Sequence, residues 1–236
     1  MNEIILKIRA DLQANSNAET RLSGSRFFKE QVTMYGVKST DVRNLIKGYL
    51  AELQAVPKHE MFSLCEQLWQ SGKLEETFVA CELAYSQRKT FVPDDFKVFE
   101  RWVEKYINNW ASCDTFCNHT VGDFVMMYPD FIASLLQWAK SSNRWLRRAA
   151  AVSLIVPARK GLFLPEIKSI ALLLLTDSDD MVQKGYGWML KVASQVHQDE
   201  VFKFVMEHKE TMPRTALRYA IEKMPNDLKA LAMAKG

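Results

Sequence analysis

The residues of this chain whose types and spacing can do chemistry are two indoles, a carboxylate and a set of arginines. In Asn109-Trp110-Ala111-Ser112-Cys113-Asp114 an aspartate follows a tryptophan by four residues. An ionised aspartate held in place stabilises a developing cation, and the electron-rich face of an indole attracts positive charge. The same stretch also reads as a helix start near Asp114, with Ser112 or Asp114 as cap and Trp110 as an apolar staple. A second indole, Trp188, closes Gln183-Lys184-Gly185-Tyr186-Gly187-Trp188. Glycines inside a helical pattern cost stability, so this pair points to close approach by another helix or a partner.

The arginines favour an anionic partner. From Phe131 to Pro165 there are six lysines or arginines (Lys140, Arg144, Arg147, Arg148, Arg159, Lys160) and no Asp or Glu. Asn143 is placed to cap a helix on which Arg144 and Arg148 share a face, with Arg147 beside them. A solvated face normally mixes signs, so a one-sign block beside Trp145 suggests an anionic ligand. The alternative is a basic surface helix with Trp145 in the core. Arg214 and Arg218 also share a helical face after Pro213, either to pair with Glu207, Glu210 or Glu222 or to fork onto phosphate.

Other chemistries find little support. Cys113-x3-Cys117-x-His119 lacks a nearby fourth ligand and standard zinc spacing, so no metal site is expected. Gly185-Tyr186-Gly187 follows no strand and is not a dinucleotide fingerprint. No cofactor is expected. Cys65, Cys81, Cys113 and Cys117 read as reduced thiols, not as a disulfide framework. The amphipathic opening from Met1 to Leu12 has no signal-peptide core, and the longest apolar run, Ile170 to Leu175, is too short to span a bilayer. A cytoplasmic protein without a membrane partner is the expectation.

The elements that must position these residues read as helices almost throughout. Ile4, Ile5, Ile8 and Leu12 form the first stripe. Asn15 to Gly24 is polar and turn-like, and an apolar element with Phe27, Phe28, Val32 and Met34 follows, ending at Gly36. Ser39-Thr40-Asp41 predicts a capped helix, Pro57 opens the next, and Leu74 to Tyr85 another. Further helices are predicted after Pro93, from Asp114 to Met127, after Pro129, after Pro165, over Val182 to Val192, around Val201 to Val205, from Pro213 to Met224, and from Asp227 to Gly236. Asp177-Ser178-Asp179-Asp180 reads as an acidic turn or first helical turn. About a dozen helices, paired at a spacing of roughly forty residues, fit an all-α HEAT-like helical-repeat solenoid with a concave basic face. It is expected as one domain over 1–236. A compact helical bundle is the alternative.

Taken together, Trp110-x3-Asp114, Asn143-x-Trp145-Leu146-x-Arg148 and Gln183-Lys184-x2-Gly187-Trp188 resemble the AlkD-type DNA alkylation repair family, HEAT-like repeat DNA glycosylases, over nearly the whole chain. Tyr35-Gly36-Val37-Lys38-Ser39 looks like that family's Gly-Ile/Val-x-Ser/Thr turn. Arg214 to Tyr219 is similar to its carboxy-terminal helix. The resemblance implies that Asp114 is the catalytic carboxylate and that Trp110 and Trp188 are indoles framing the lesion's deoxyribose. Arg148 would hold a nearby phosphate. Arg147, Arg144, Lys38, Ser39, Arg43, Lys184, Arg214 and Arg218 would be further DNA contacts. Phe27 falls on the lesion side, where family members have a Tyr, so a hydroxyl contact is lost there.

The implied activity is hydrolysis of N3- or N7-alkylated, positively charged purines from duplex DNA by a monomer. The base would stay stacked, so no base-shaped pocket is expected. The competing reading is a non-catalytic HEAT-repeat module for DNA backbone or a protein.

Overall fold

The computed structural model describes residues 2–234. Met1 of the expected amphipathic opening, and Lys235 and Gly236 of the expected last helix, lie outside the described residues. The fold is an all-α helical repeat, as the apolar periodicity predicts. Among the described residues no strand forms, and Thr33 and Lys73 make an isolated bridge. The chain divides into two compact units, Met1–Phe116 and Cys117–Gly236.

The first unit holds α1 (Asn2–Ala14), α2 (Ala18–Ser25), α3 (Ser39–Glu52), α4 (Lys58–Gln70), α5 (Leu74–Ser86), α6 (Asp95–Tyr106) and α7 (Trp110–Phe116). A three-residue connection joins α4 to α5, which makes them packed antiparallel neighbours. Its turn is at Gly72, where φ is +66° and a side chain would be strained. The core is an aromatic cluster. Phe116 stands edge-on to Trp69 (5.7 Å between centroids, 85°) and to Phe99 (5.7 Å, 79°), and Trp102 packs on it at 5.8 Å. Such arrangements align positive ring edges with negative faces.

The amino-terminal part of this unit reverses the sequence expectation. Ala18–Ser25, read as a turn, is helix α2, capped by the Asn17 side chain, which accepts from Thr20 N at 2.8 Å. It buries no residue, so no apolar periodicity betrays it. Phe27 to Gly36, expected as an apolar element, is an irregular connection. Its backbone is satisfied by a side chain: the buried Glu75 carboxylate accepts from the N–H groups of Tyr35 (2.9 Å), Gly36 (2.8 Å) and Val37 (3.0 Å). Gly36 has φ +86°, and a Cβ there would lie 2.5 Å from the Asn17 carbonyl oxygen, so only glycine fits. The expected cap of α3 is also displaced. Ser39 is already helical, and Lys38 stands at the cap position without a side-chain bond.

The second unit opens with a π-helical turn, Cys117–Val121, followed by α8 (Gly122–Met127), α9 (Ile132–Trp138), α10 (Arg144–Val152) and α11 (Ile155–Arg159). Then come α12 (Leu164–Leu173), α13 (Asp180–Ala193), α14 (Gln198–His208), α15 (Arg214–Ala220) and α16 (Asn226–Met233). The segment expected as one helix from Asp114 to Met127 thus starts earlier, at Trp110, and is broken by the π turn. Helix α13 is the centre of this unit, and its two glycines admit neighbouring helices. A Cβ at Gly185 would stand 3.2 Å from Arg148 Cγ on α10, and one at Gly187 would stand 2.7 Å from Tyr219 Cβ on α15. Tyr186 between them is buried, and its hydroxyl donates to the Leu175 carbonyl at 2.9 Å.

No described helix is long and apolar enough to cross a membrane. The four cysteines are buried, free thiols, and burial raises the pKa of Cys65 and Cys81.

One charge ties α4 to α6. Glu66 accepts from Arg101 Nη2 (2.7 Å), Tyr106 Oη (2.6 Å) and Trp102 Nε1. Burial alone raises its pKa, but the three donors and the Arg101 charge outweigh this and hold it below its ordinary 4.5. A lowered carboxylate pKa stabilises the fold above the unfolded value, and that stability is lost as pH falls through the folded one. Glu66→Gln is therefore expected to melt lower than the parent at neutral pH, with the gap narrowing below pH 4.5. Thermal melts from neutral pH to about pH 3 check this, and a gap independent of pH would contradict it.

Candidate functional site

Helix α7 is short and packs on α5. Its start is capped by Asn109, whose side-chain oxygen accepts from Ser112 N at 2.9 Å. The expected caps, Ser112 and Asp114, are instead inside the helix. Ser112 Oγ lies 2.9 Å from Thr77 Oγ1 of α5, Ala111 packs with Met34 and Leu74, and Phe116 enters the aromatic cluster. With Ala111, Ser112, Cys113 and Phe116 buried, the other face presents Trp110 and Asp114, one turn apart and both half-buried.

Trp110 is fixed by the irregular connection. Its ring stacks on Phe28 (5.5 Å between centroids, 24° between planes), and its Nε1 donates to the Phe27 carbonyl at 3.3 Å. The Phe27 side chain itself is 75% exposed. Beside Trp110 opens a cavity of about 690 Å³ walled by Phe27, Phe28, Met34 and Phe78. Ser39, Arg43 and Lys47 also line it, and all three are exposed. Its volume is of the order found for small-ligand sites. Lys38 is exposed at the start of α3.

In the second unit the basic block is not free of acids. The carboxylates come from the 177–180 stretch, about thirty residues further on. Arg147 Nε pairs with Asp177 at 2.6 Å, and its Nη1 donates to the carbonyls of Ser141 and Ser142, each at 3.0 Å. Arg144 pairs with Asp179 at 2.8 Å and lies over the Trp145 ring. Lys184 pairs with Asp180 at 3.2 Å. Asp179 also caps α13, accepting from Met181 N at 2.8 Å. Arg148 is buried and donates through Nη1 to the Met181 carbonyl, in the space that Gly185 leaves. Asn143 caps α10 as expected, accepting from Trp145 N at 2.9 Å, and Trp145 is a core residue.

Arg214 and Arg218 behave differently. The acids expected to pair with them are engaged elsewhere: Glu222 with Lys191 (2.9 Å), Glu207 with Lys203 and Glu210 with Lys209. Both arginines are exposed and make no ion pair among the described residues. Of the six tryptophans, Trp69, Trp102, Trp138 and Trp145 are buried, whereas Trp110 and Trp188 are half-buried. The two indoles singled out from the sequence are thus the two with a face to offer. Sequence reading missed Phe28 and Glu75, whose contacts span a non-helical connection and carry no periodic signal.

The profile of the family described as DNA alkylation repair enzyme matches residues 8–224, and this chain belongs to that family. A solved structure from Enterococcus faecalis, named "Predicted DNA alkylation repair enzyme", superposes with a TM-score of 0.80 at 22% identity, covering 90% of this chain and 98% of that one. At that identity it bears on the fold. No curated protein sequence matches.

The ion pairs predict a division of labour among the arginines. Each phosphate neutralised by an exposed arginine steepens the salt dependence of duplex binding by roughly 0.9 in the slope of log K against log salt. Arg214→Ala and Arg218→Ala are each expected to flatten the slope by about that amount. Arg147→Ala leaves the largely buried Asp177 carboxylate with the Asp179 N–H but no counter-charge, and should instead destabilise the fold by about 2 kcal/mol. Salt titrations of DNA binding, run beside thermal melts of the same three variants, measure both effects. A flattened slope with an unchanged melt for Arg147→Ala would reverse the assignment.

Proposed function

We propose that this protein is a monofunctional DNA glycosylase that hydrolyses the N-glycosidic bond of positively charged N3- or N7-alkylated purines in duplex DNA, without flipping the base. The observation that carries this reading is the Trp110–Asp114 face of α7, presented by a member of the DNA alkylation repair family. We assign both units to one HEAT-like DNA-binding domain that works as a monomer in the cytoplasm.

The chemistry follows from the charge of the lesion. When the C1′–N bond breaks, its electron pair passes to the purine ring and cancels the positive charge, so the base leaves neutral and needs no acid. The sugar becomes an oxocarbenium-like cation, the kind that carboxylates stabilise in glycoside hydrolysis. Asp114 stabilises it and directs a water whose oxygen bonds to C1′. The proton of that water passes to the carboxylate or to solvent. Trp110 and Trp188 add the attraction of their indole faces to the cationic sugar. The exposed Arg43, Arg214 and Arg218, with Lys38 and Ser39, hold phosphates, and the buried Arg148 braces α10 against α13 through the Met181 carbonyl. Arg144, Arg147 and Lys184 support this surface through their ion pairs, and Phe27 faces the lesion. The scheme needs neither metal nor cofactor.

A non-catalytic helical-repeat module would explain the exposed arginines, but not a carboxylate one turn from a half-exposed indole on a braced helix.

Asp114→Asn is expected to cut single-turnover release of a methylated purine by on the order of 10²-fold or more. Melting temperature and duplex affinity should stay close to parental, because Asp114 sits in the body of α7 and not at its cap. Excision at the parental rate would sink the mechanism.

A further inference from the structure

We infer that Phe28 is a positioning residue for the reaction, setting the plane of the Trp110 indole. This rests on the reading of Trp110 as an indole that faces the sugar. A face-on attraction between an indole and a cation acts only when the ring plane is turned toward the charge. A tryptophan side chain turns about two bonds, and the braced face of α7 fixes only its backbone. Besides packing on the Met34, Leu74 and Ala111 cluster, the indole has two directed contacts that set its plane, and both come from one dipeptide. The Phe28 ring lies nearly parallel to the indole at 5.5 Å and 24°, and the Phe27 carbonyl receives the indole N–H at 3.3 Å. Phe28 also packs against the buried cluster of Met34, Leu74 and Ala111.

This dipeptide lies just beyond α2, a helix with no buried residue. The segment is tied down on either side. Upstream, Asn17 N donates to the Gly36 carbonyl at 3.1 Å; downstream, the N–H groups of residues 35–37 reach Glu75. With no buried residue in α2, the contacts of this dipeptide on Trp110 and on the Met34, Leu74 and Ala111 cluster hold this end of the connection. Phe28 therefore orients the indole without itself being a catalytic residue.

The test separates orientation from folding and from the functional reading. Protein labelled with fluorotryptophan gives one fluorine resonance per tryptophan, and the signal lost in Trp110→Phe identifies Trp110. Phe28→Leu, which keeps apolar bulk but not the ring, is expected to shift or broaden that resonance while leaving those of buried Trp69 and Trp102 in place. Phe28→Tyr, which keeps the ring, is expected to restore it. In parallel, Phe28→Leu should lower single-turnover release of a methylated purine by about tenfold, since small misplacements of aligned groups cost rate. Its duplex Kd should be unchanged, and Phe28→Tyr should recover the rate. An unmoved Trp110 resonance in Phe28→Leu, or a moved one with parental rate in a protein whose Trp110→Phe variant is slow, overturns the inference. If Trp110→Phe itself excises at the parental rate, the sugar-facing reading of Trp110 falls, and the resonance alone decides whether Phe28 orients the ring.

Discussion

The carboxylate of Glu75 holds the amino-terminal side of the candidate site. A buried carboxylate must find donors, and here three consecutive backbone N–H groups, at residues 35–37, supply them. That arrangement forces a left-handed glycine at Gly36, whose carbonyl in turn receives the Asn17 N–H at the start of α2. Its neighbour Glu76 is also buried, accepting from the Tyr35 hydroxyl at 2.7 Å and from Arg9 at 3.1 Å. Burial and the bond to Glu76 push the Tyr35 pKa up, so the phenol stays protonated and remains a donor. The Phe27–Phe28 contacts on Trp110 are reached only through this connection.

The second unit uses the same device with other residues. Asp177 and Asp179 face the basic helix α10 and hold Arg147 and Arg144 against the start of α13. Asp179 caps α13 at the same time, and the first turn of that helix offers the Met181 carbonyl to Arg148. In both units, then, acids away from Asp114 act as scaffolding. They fix loops and arginines whose positions the apolar core alone does not determine. The glycines of α13 complete the arrangement by letting Arg148 and Tyr219 approach its backbone.

What was legible in the sequence follows from the range of each interaction. Helices with a buried stripe, such as α4, α5 and α13, announce themselves through period and punctuation, and so does the Asn143 cap. Helix α2 looks like a turn in the sequence because it buries nothing, and Phe27 to Gly36 looks like an apolar element because its hydrophobic residues pack from an irregular backbone. The basic block looked unopposed because the opposing carboxylates lie about thirty residues away in sequence. The pairing of Trp110 with Asp114 was visible in its four-residue spacing, but their shared exposed face depends on Asn109 starting the helix earlier than expected.

The central claim is that reaction depends on the positive charge of the lesion and not on a fit to the shape of its base. The alternative is a base read by its shape in the cavity beside Trp110. The direct measurement is single-turnover release from defined duplexes that differ only in the lesion. Cationic N7-methylguanine and N3-methyladenine are compared with a bulky N7 adduct and with neutral hypoxanthine, uracil and ethenoadenine. The account predicts release of every cationic base, bulky adduct included, with the neutral ones left intact. Efficient release of a neutral base, or sharp discrimination between methyl and bulky cationic groups at N7, would contradict it and make the cavity a base-reading pocket.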